Sequence, residues 1–213
     1  LQDFDHCALL GRVAETSDVT GGGAELFLYQ SGYLTIKGYA NGVYFLGFPN
    51  QEVRQSLNEM VLPALSLRRV GNLQSTQAFL SAYLSTGNLP EAMKCLKALV
   101  ADVPYSNKKL ASMDMEERYR LIISTIFNAI GCRVDVEHML STGRIDMVVE
   151  IYSYIYVLEL KLTKNGGLVA AEKQILSNQY VEPFKADKRN VVVLAVELDD
   201  MGKGLIDWKE VKG

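Results

Sequence analysis

The spacing of hydrophobic positions changes along the second half of the chain and predicts alternating helices and strands. Around residues 114–130 apolar side chains recur every three or four positions, as on one face of a helix. Short runs rich in valine, isoleucine and tyrosine follow, and these are typical of strands. The predicted order is αβββαβ, an α/β (α+β) fold with a mixed central sheet. The elements are expected at 114–130, 133–137, 144–150, 154–162, 168–179 and 190–197, with a weak edge strand at 206–211.

The first half has a different pattern, which indicates a small, mainly helical or winged-helix-like module over residues 1–105. Residues 1–24 are polar, end in three glycines and are expected to be flexible. Two short strands are predicted around the turn signal Ala40-Asn41-Gly42. The remaining elements are helices near 24–32, 51–67, 73–85 and 89–102. Residues 106–213 would then form the second domain.

The composition of the chain limits the class of protein it can be and the kinds of partner it can bind. The chain has 213 residues, 48% of them hydrophobic, which is enough for a well-formed core. Its net charge of -3 argues against a broad basic surface for nucleic acid and leaves room for a local basic cleft. No apolar run is long enough to span a bilayer and no signal peptide is apparent, so we expect no membrane partner.

The three cysteines are scattered and form no CxxC pair, which argues against both a disulfide framework and a zinc site. A reducing, cytoplasmic location is expected. The sequence starts at Leu1 rather than methionine, so we interpret it as a fragment that a further domain precedes.

Charged residues in the apolar strands give the first indication of function. Side chains alternate between the two faces of a strand, so Glu159 and Lys161 share one face of the strand at 154–162. If residues 151–154 form a hairpin turn, Asp146 lies across from Glu159. The two carboxylates would then point to one place, with Lys161 beside them.

Two close carboxylates repel each other unless a cation joins them. Mg²⁺ or Mn²⁺ prefers oxygen ligands, and the predicted set is Asp146, Glu159 and the carbonyl of Leu160. Such a cation would activate water for phosphodiester hydrolysis, and Lys161 would orient that water or stabilise the developing charge. The alternative is a solvated strand end with an ion pair worth about 0–1 kcal/mol.

Two helices offer further candidate catalytic residues. Helical spacing places Glu116 at the margin of the apolar stripe and turns its neighbour Glu117 away. Both glutamates also suit a helix N-terminus without any catalytic role. In the later helix Gln174 lies on a narrow face with small residues and would contact the water or a phosphate; a solvent-facing glutamine fits the spacing equally well.

Together these residues resemble the PD-(D/E)XK nuclease superfamily. More narrowly, the chain resembles the restriction-endonuclease-like domain at the C-terminus of bacterial AAA-ATPase-like proteins. Residues 33–37 and 46–50 resemble the segment that joins ATPase and nuclease in those proteins. The second half carries the rest of the resemblance, on Glu116, Gly143-Arg144-Ile145-Asp146, Glu159-Leu160-Lys161, Gln174, Tyr180 and Glu182-Pro183-Phe184.

The resemblance implies a metal-dependent nuclease acting on DNA more than RNA. Asp146 and Glu159 would bind the metal, Lys161 would act on the water or the transition state, and Glu116 and Gln174 would assist. Ile145 stands where the superfamily's name has proline, a position that varies widely in such folds. No P-loop is present, so an ATPase domain would precede this chain. The alternatives are a catalytically silent nuclease fold that binds or regulates partners, and a phosphoesterase for small substrates.

Overall fold

A computed structural model describes residues 7–10, 24–40, 43–65, 70–101, 103, 113–141 and 143–212. The chain divides into two compact units, Leu1–Leu57 and Asn58–Gly213. The helix α2, Gln51–Leu65, includes the residue at which this division falls. Within the described residues, no helix is long and apolar enough to cross a membrane.

The first unit contains a small antiparallel sheet and a helix. Its elements are β1 (Cys7–Leu10), α1 (Ala24–Gln30), β2 (Thr35–Ala40) and β3 (Val43–Gly47). The strand order is β1-β3-β2, so the predicted pair of strands acquires a third member. This third strand lies within the segment expected to be flexible; most of that segment, like Asn41 and Gly42 of the predicted turn, is outside the described residues.

The second unit has the predicted αβββαβ order, which confirms the fold class. The elements are α3 (Val70–Thr86), α4 (Leu89–Ala101), α5 (Met115–Ala129), β4 (Arg133–Leu140), β5 (Gly143–Ile151), β6 (Tyr154–Leu162), α6 (Gly167–Ser177), β7 (Asn190–Leu198) and β8 (Leu205–Glu210). The sheet has the strand order β4-β5-β6-β7-β8. The first three strands are antiparallel, β6 and β7 are parallel, and β8 is an antiparallel edge strand, as the weak closing pattern predicts.

The two faces of the sheet bury separate apolar clusters, and β6 contributes to both. Leu158 and Leu160 pack with α3, α4 and α5 on one face. Ile155 and Val157 pack with α6 on the other. Alternation along β6 thus follows the predicted parity and places Glu159 on the α6 side. Because α6 connects the parallel strands β6 and β7, it covers the face where the charged residues of β6 emerge.

The helices α3 and α4 belong to the larger apolar cluster together with α5. The predicted boundary near residue 105 therefore lies inside the second compact unit. Tyr156 links the strand β6 directly to the helix α3, since its hydroxyl donates to the carbonyl of Leu84 at 2.6 Å. The last carbonyls of a helix have no intrahelical partner, so this bond satisfies one of them.

We predict that Tyr156→Phe lowers the free energy of unfolding by about 1 kcal/mol, because a buried hydrogen bond to the end of α3 is lost. The Leu84 carbonyl keeps a contact from the Gly87 amide at 3.3 Å, which limits the effect. Urea unfolding of the whole chain measures the change. The matched control is Tyr152→Phe at an exposed position, and equal stability of the two variants would contradict the prediction.

Candidate active site

The charged residues meet where β5 and β6 stop pairing. The regular ladder between the two strands ends at Met147 and Leu158, so the next facing pair is Asp146 and Glu159. Here the carboxylate of Asp146 accepts the backbone N–H of Leu160 at 2.9 Å. A side chain therefore takes the place of a backbone acceptor, and Asp146 is fixed, only 5% exposed, opposite Glu159.

Glu159 is fully buried, and its two oxygens differ in their partners. Oε2 accepts a hydrogen bond from the Tyr180 hydroxyl at 2.9 Å. Oε1 lies 2.7 Å from the Nζ of Lys161. That contact is close but poorly directed, so Oε1 has no hydrogen-bond donor among the described residues. Oε1 of Glu159 thus has an ionic neighbour, Lys161, and can still accept a hydrogen bond or bind a cation.

Burial and like charge make Glu159 a weaker acid than usual. Burial raises its pKa most, the charge of Asp146 raises it further, and Lys161 and Tyr180 oppose both, leaving a pKa of about 7. Lys161 behaves differently. Burial lowers the pKa of Lys161, but its close contact with Glu159 and the nearby charges of Glu159, Asp146 and Glu116 raise it above its usual value. Lys161 is therefore a charged ammonium at neutral pH.

The start of α5 brings Glu116 to this place. Asp114 caps the helix by accepting the backbone N–H of Glu116 at 3.1 Å. One oxygen of Glu116 lies 3.8 Å from the Nζ of Lys161, and the other accepts from the Asn165 side chain at 3.2 Å. The neighbouring Glu117 is exposed, as the helical spacing predicts. Glu116 and Lys161 therefore restrain each other.

Gln174 reaches Glu159 only through Tyr180. Its amide donates to the Tyr180 oxygen at 2.9 Å. The Tyr180 hydroxyl lies 2.6 Å from the carbonyl of Arg144 and 2.9 Å from Glu159, and its single proton serves one of them at a time. Burial, followed by the charge of Glu159, raises the pKa of Tyr180. The hydroxyl is therefore neutral and holds Glu159 in place.

Sequence reasoning missed two members of the site. Arg120 lies four residues after Glu116 on α5, and its Nη2 is 3.6 Å from an oxygen of Asp146. The i, i+4 spacing was a usable signal, because such residues share one helix face. Tyr180 was noticed as part of a motif, but it lies between regular elements, so no periodicity could predict its contact with Glu159.

Asp146 and Glu159 could provide two carboxylate ligands for a divalent cation, but not a cluster of three or more. Among the described residues, no group of three His, Cys, Asp or Glu side chains is close enough to hold a metal ion. Mg²⁺ commonly takes one or two carboxylates and keeps several waters, so Asp146 and Glu159 satisfy its minimum requirement. The buried Oε1 of Glu159, whose neighbour at 2.7 Å is the positive charge of Lys161 rather than a well-directed donor, also suits a cation. The role of the Leu160 carbonyl stays a prediction.

The comparisons with known proteins concern the same segment of the chain. Residues 114–208, which include every predicted site residue, match the family model described as PDDEXK_9, PD-(D/E)XK nuclease superfamily. An uncharacterized protein in the vnfD 5′ region of Azotobacter chroococcum mcd 1 is 28% identical over 207 residues. The match covers 91% of this chain and 38% of that protein, so the chain spans well under half of its relative. No solved structure matches the chain significantly.

The raised pKa of Glu159 predicts a pH-dependent stability in EDTA. The folded chain binds this proton more tightly than the unfolded chain, because the pKa rises from an ordinary 4.5 to about 7. The associated stabilisation is therefore full below about pH 4.5 and disappears as the pH rises through about 7. From pH 4 to pH 8 the wild-type chain should lose up to about 3 kcal/mol relative to Glu159→Gln.

Urea unfolding at several pH values measures this difference. Glu117→Gln is the matched control, because it removes an exposed carboxylate one position away from Glu116. Its stability should follow the wild-type curve. Parallel curves for wild type and Glu159→Gln would show that Glu159 has an ordinary pKa in the folded chain.

Proposed function

We propose that this chain is a metal-dependent nuclease that hydrolyses phosphodiester bonds, in DNA more than in RNA. The observation that carries the proposal is the convergence of Asp146, Glu159, Lys161 and Glu116 at the end of the β5–β6 ladder. The superfamily match over the same segment supports it.

Asp146, Glu159 and the carbonyl of Leu160 would hold Mg²⁺ or Mn²⁺. When bound, this cation supplies a Lewis acid for the phosphate and an activated water for the attack. The two carboxylates face each other from adjacent strands of the sheet, so the backbone already holds both candidate ligands at one place. Glu159 must lose its proton to act as a ligand, and its pKa of about 7 places that step near neutral pH.

Lys161 would stabilise the negative charge that grows on the phosphate. Its pKa is raised, so it stays protonated at neutral pH, and a protonated ammonium suits charge stabilisation better than proton abstraction. Its ammonium group lies between Glu159 at 2.7 Å and Glu116 at 3.8 Å. These carboxylates hold the positive charge beside the reacting phosphate, which is where transition-state stabilisation needs it.

Gln174 and Tyr180 would act as positioning residues. Gln174 donates to the Tyr180 oxygen, which leaves the hydroxyl proton for Glu159 or for the Arg144 carbonyl. Fixing Oε2 of Glu159 orients the other oxygen of this carboxylate. We therefore assign Gln174 an indirect role, through Tyr180, in place of the direct contact with water or phosphate that its helix position suggested.

The residues before α3 would form an accessory module that couples the nuclease to an ATPase domain. The larger size of the Azotobacter relative supports this arrangement, since the match leaves more than half of that protein outside it. The helices α3 and α4 share the apolar cluster of the nuclease core, so we place them with the nuclease.

A catalytically silent binding module is the second candidate. Both oxygens of Asp146 already have protein neighbours, the Leu160 amide and Arg120. Lys161 likewise offsets the charge of Glu159 without a metal. The net charge of -3 also gives no broad attraction for nucleic acid. Metal binding separates this candidate from the nuclease.

We predict that Asp146→Asn and Lys161→Ala each reduce Mn²⁺-dependent cleavage of DNA by roughly a hundredfold or more, since each removes charge from the reacting centre. Asp146→Asn keeps an acceptor for the Leu160 amide, so the fold should persist. A gel assay with labelled single-stranded and duplex DNA and RNA measures cleavage. The exposed control Lys209→Gln should cut like the wild type. Intact substrates with wild-type protein, alone and in a longer chain with its upstream residues, would reject catalysis.

Calorimetric titration with Mn²⁺ gives a second, independent prediction. The wild-type chain should bind the ion saturably, and Glu159→Gln and Asp146→Asn should lose that binding because each removes a charged ligand. Glu117→Gln should bind like the wild type, since that carboxylate is exposed and points away. Equal binding by all four proteins would place the ion elsewhere, and absence of binding in the wild type would favour the silent module.

A further inference from the structure

We propose that Arg120 and Arg144 form a binding site for a backbone phosphate of nucleic acid, and that the Glu137 carboxylate occupies this site until a nucleic-acid strand displaces it. The inference rests on the proposed function and deepens it, because it names a substrate contact beside the reacting centre.

Two guanidinium groups converge on a single oxygen. The Nη1 atoms of Arg120 and Arg144 lie 2.6 Å and 3.0 Å from the same Oε1 of Glu137. Like charges this close repel unless an anion lies between them. The pair of arginines therefore defines a site for an anion, and a side chain of the chain itself fills it.

The anion site adjoins the candidate active site. Nη2 of Arg120 lies 3.6 Å from Oδ1 of Asp146. Arg120 also follows Glu116 by one helical turn, so α5 presents a carboxylate and a guanidinium on the same face. A phosphate between Arg120 and Arg144 would therefore lie next to Asp146.

The Glu137 carboxylate accepts from only part of the hydrogen-bond donors of Arg120. A guanidinium has five N–H donors arranged as a planar fork. Nε of Arg120 is buried without a partner among the described residues, and the contact with Asp146 is too long for a hydrogen bond. A phosphate has several oxygens that match the arginine fork, whereas Glu137 presents one oxygen to both arginines. A phosphate would satisfy more of these donors.

The backbone at Glu137 is strained where this carboxylate is presented. Its φ is 59°, in the left-handed region. The ladder pairs Val136 with Met147 and His138 with Ile145 but skips Glu137 and Asp146. Of the described non-glycine residues with positive φ, Glu137 alone lies inside a strand, since Tyr152 and Gln179 lie in turns. Such strain often accompanies functional positions.

A structural ion-pair network is the competing explanation, and binding measurements separate the two. A 5′-fluorescein oligonucleotide, single-stranded or duplex, is titrated with the full chain at low ionic strength in EDTA, and anisotropy reports binding. Under these conditions metal-dependent cleavage is blocked. Thermal unfolding of every variant shows which of them remain folded.

If Glu137 is a displaceable occupant, Glu137→Gln should bind roughly fivefold tighter than wild type, because an intramolecular competitor is weakened. Arg144→Gln and Arg120→Gln should each bind roughly tenfold weaker. Each should also reduce the slope of log affinity against log salt by about 0.7 on single strands. Because Arg144 is half exposed, its variant should fold and can carry the test if Arg120→Gln does not.

Two matched controls account for net charge. Arg189 bridges Asp187 and Glu150 much as Arg120 bridges two carboxylates, but it lies at the other end of β5. Arg189→Gln should therefore bind close to wild type. Glu182, exposed and paired with Lys185, provides the control for loss of a negative charge, and Glu182→Gln should not tighten binding.

The phosphate site is overturned if Arg144→Gln binds as tightly as Arg189→Gln, if Glu137→Gln gains no affinity over Glu182→Gln, or if neither wild type nor Glu137→Gln binds the oligonucleotide. Cleavage with Mn²⁺ is scored separately. Wild-type cleavage with unchanged binding in the arginine variants leaves the nuclease standing without this site. If the variants bind the oligonucleotide with the expected order of affinities but wild type does not cleave it, the phosphate site is supported and the nuclease activity is rejected.

Discussion

The interaction on which the site depends is the hydrogen bond from the Leu160 amide to the Asp146 carboxylate at 2.9 Å. It lies just beyond the last regular pair of β5 and β6, so the two strands can diverge without leaving this buried N–H unsatisfied. The same bond fixes Asp146 opposite the fully buried Glu159. One contact thus ends the ladder and brings two like charges together.

That like-charge pair explains the charged residues around it. Burial and Asp146 raise the pKa of Glu159. Two cations offset the negative charges, because Lys161 lies beside Glu159 and Arg120 lies beside Asp146. Tyr180 holds the second oxygen of Glu159 by a neutral hydrogen bond. A buried pair of this kind contributes little to stability compared with well-packed apolar residues. Its presence in the centre of the sheet is therefore better explained by function than by folding.

Much of this arrangement follows from periodicity. Strand alternation predicts that Glu159 and Lys161 share a face, the expected turn at 151–154 predicts that Asp146 faces Glu159, and helical spacing separates Glu116 from Glu117. Each of these inferences depends on residues inside one regular element or on a tight hairpin. The mixed sheet is predictable because a helix lies between β6 and β7, and such a connection favours parallel pairing.

Other features are decided by contacts that local patterns do not encode. Tyr180 reaches Glu159 from a segment between α6 and β7, and Glu137 meets Arg120 at a point where its backbone leaves the regular strand conformation. A change of local pattern predicts a boundary near residue 105, whereas the apolar residues of α3 and α4 share one buried cluster with α5 and the sheet. An amphipathic pattern shows that a helix has a partner, but not which partner.

Charge balance connects metal binding with nucleic-acid binding. The cluster contains four carboxylates, Glu116, Glu137, Asp146 and Glu159, and three cations, Arg120, Arg144 and Lys161, so it carries -1 when all are ionised. A divalent cation would change that to +1, and displacement of Glu137 would expose both arginines. Since the whole chain is acidic, with a net charge of -3, attraction for a polyanion has to be local. Under the proposed function, the metal and the nucleic-acid strand would therefore favour each other's binding at this one place.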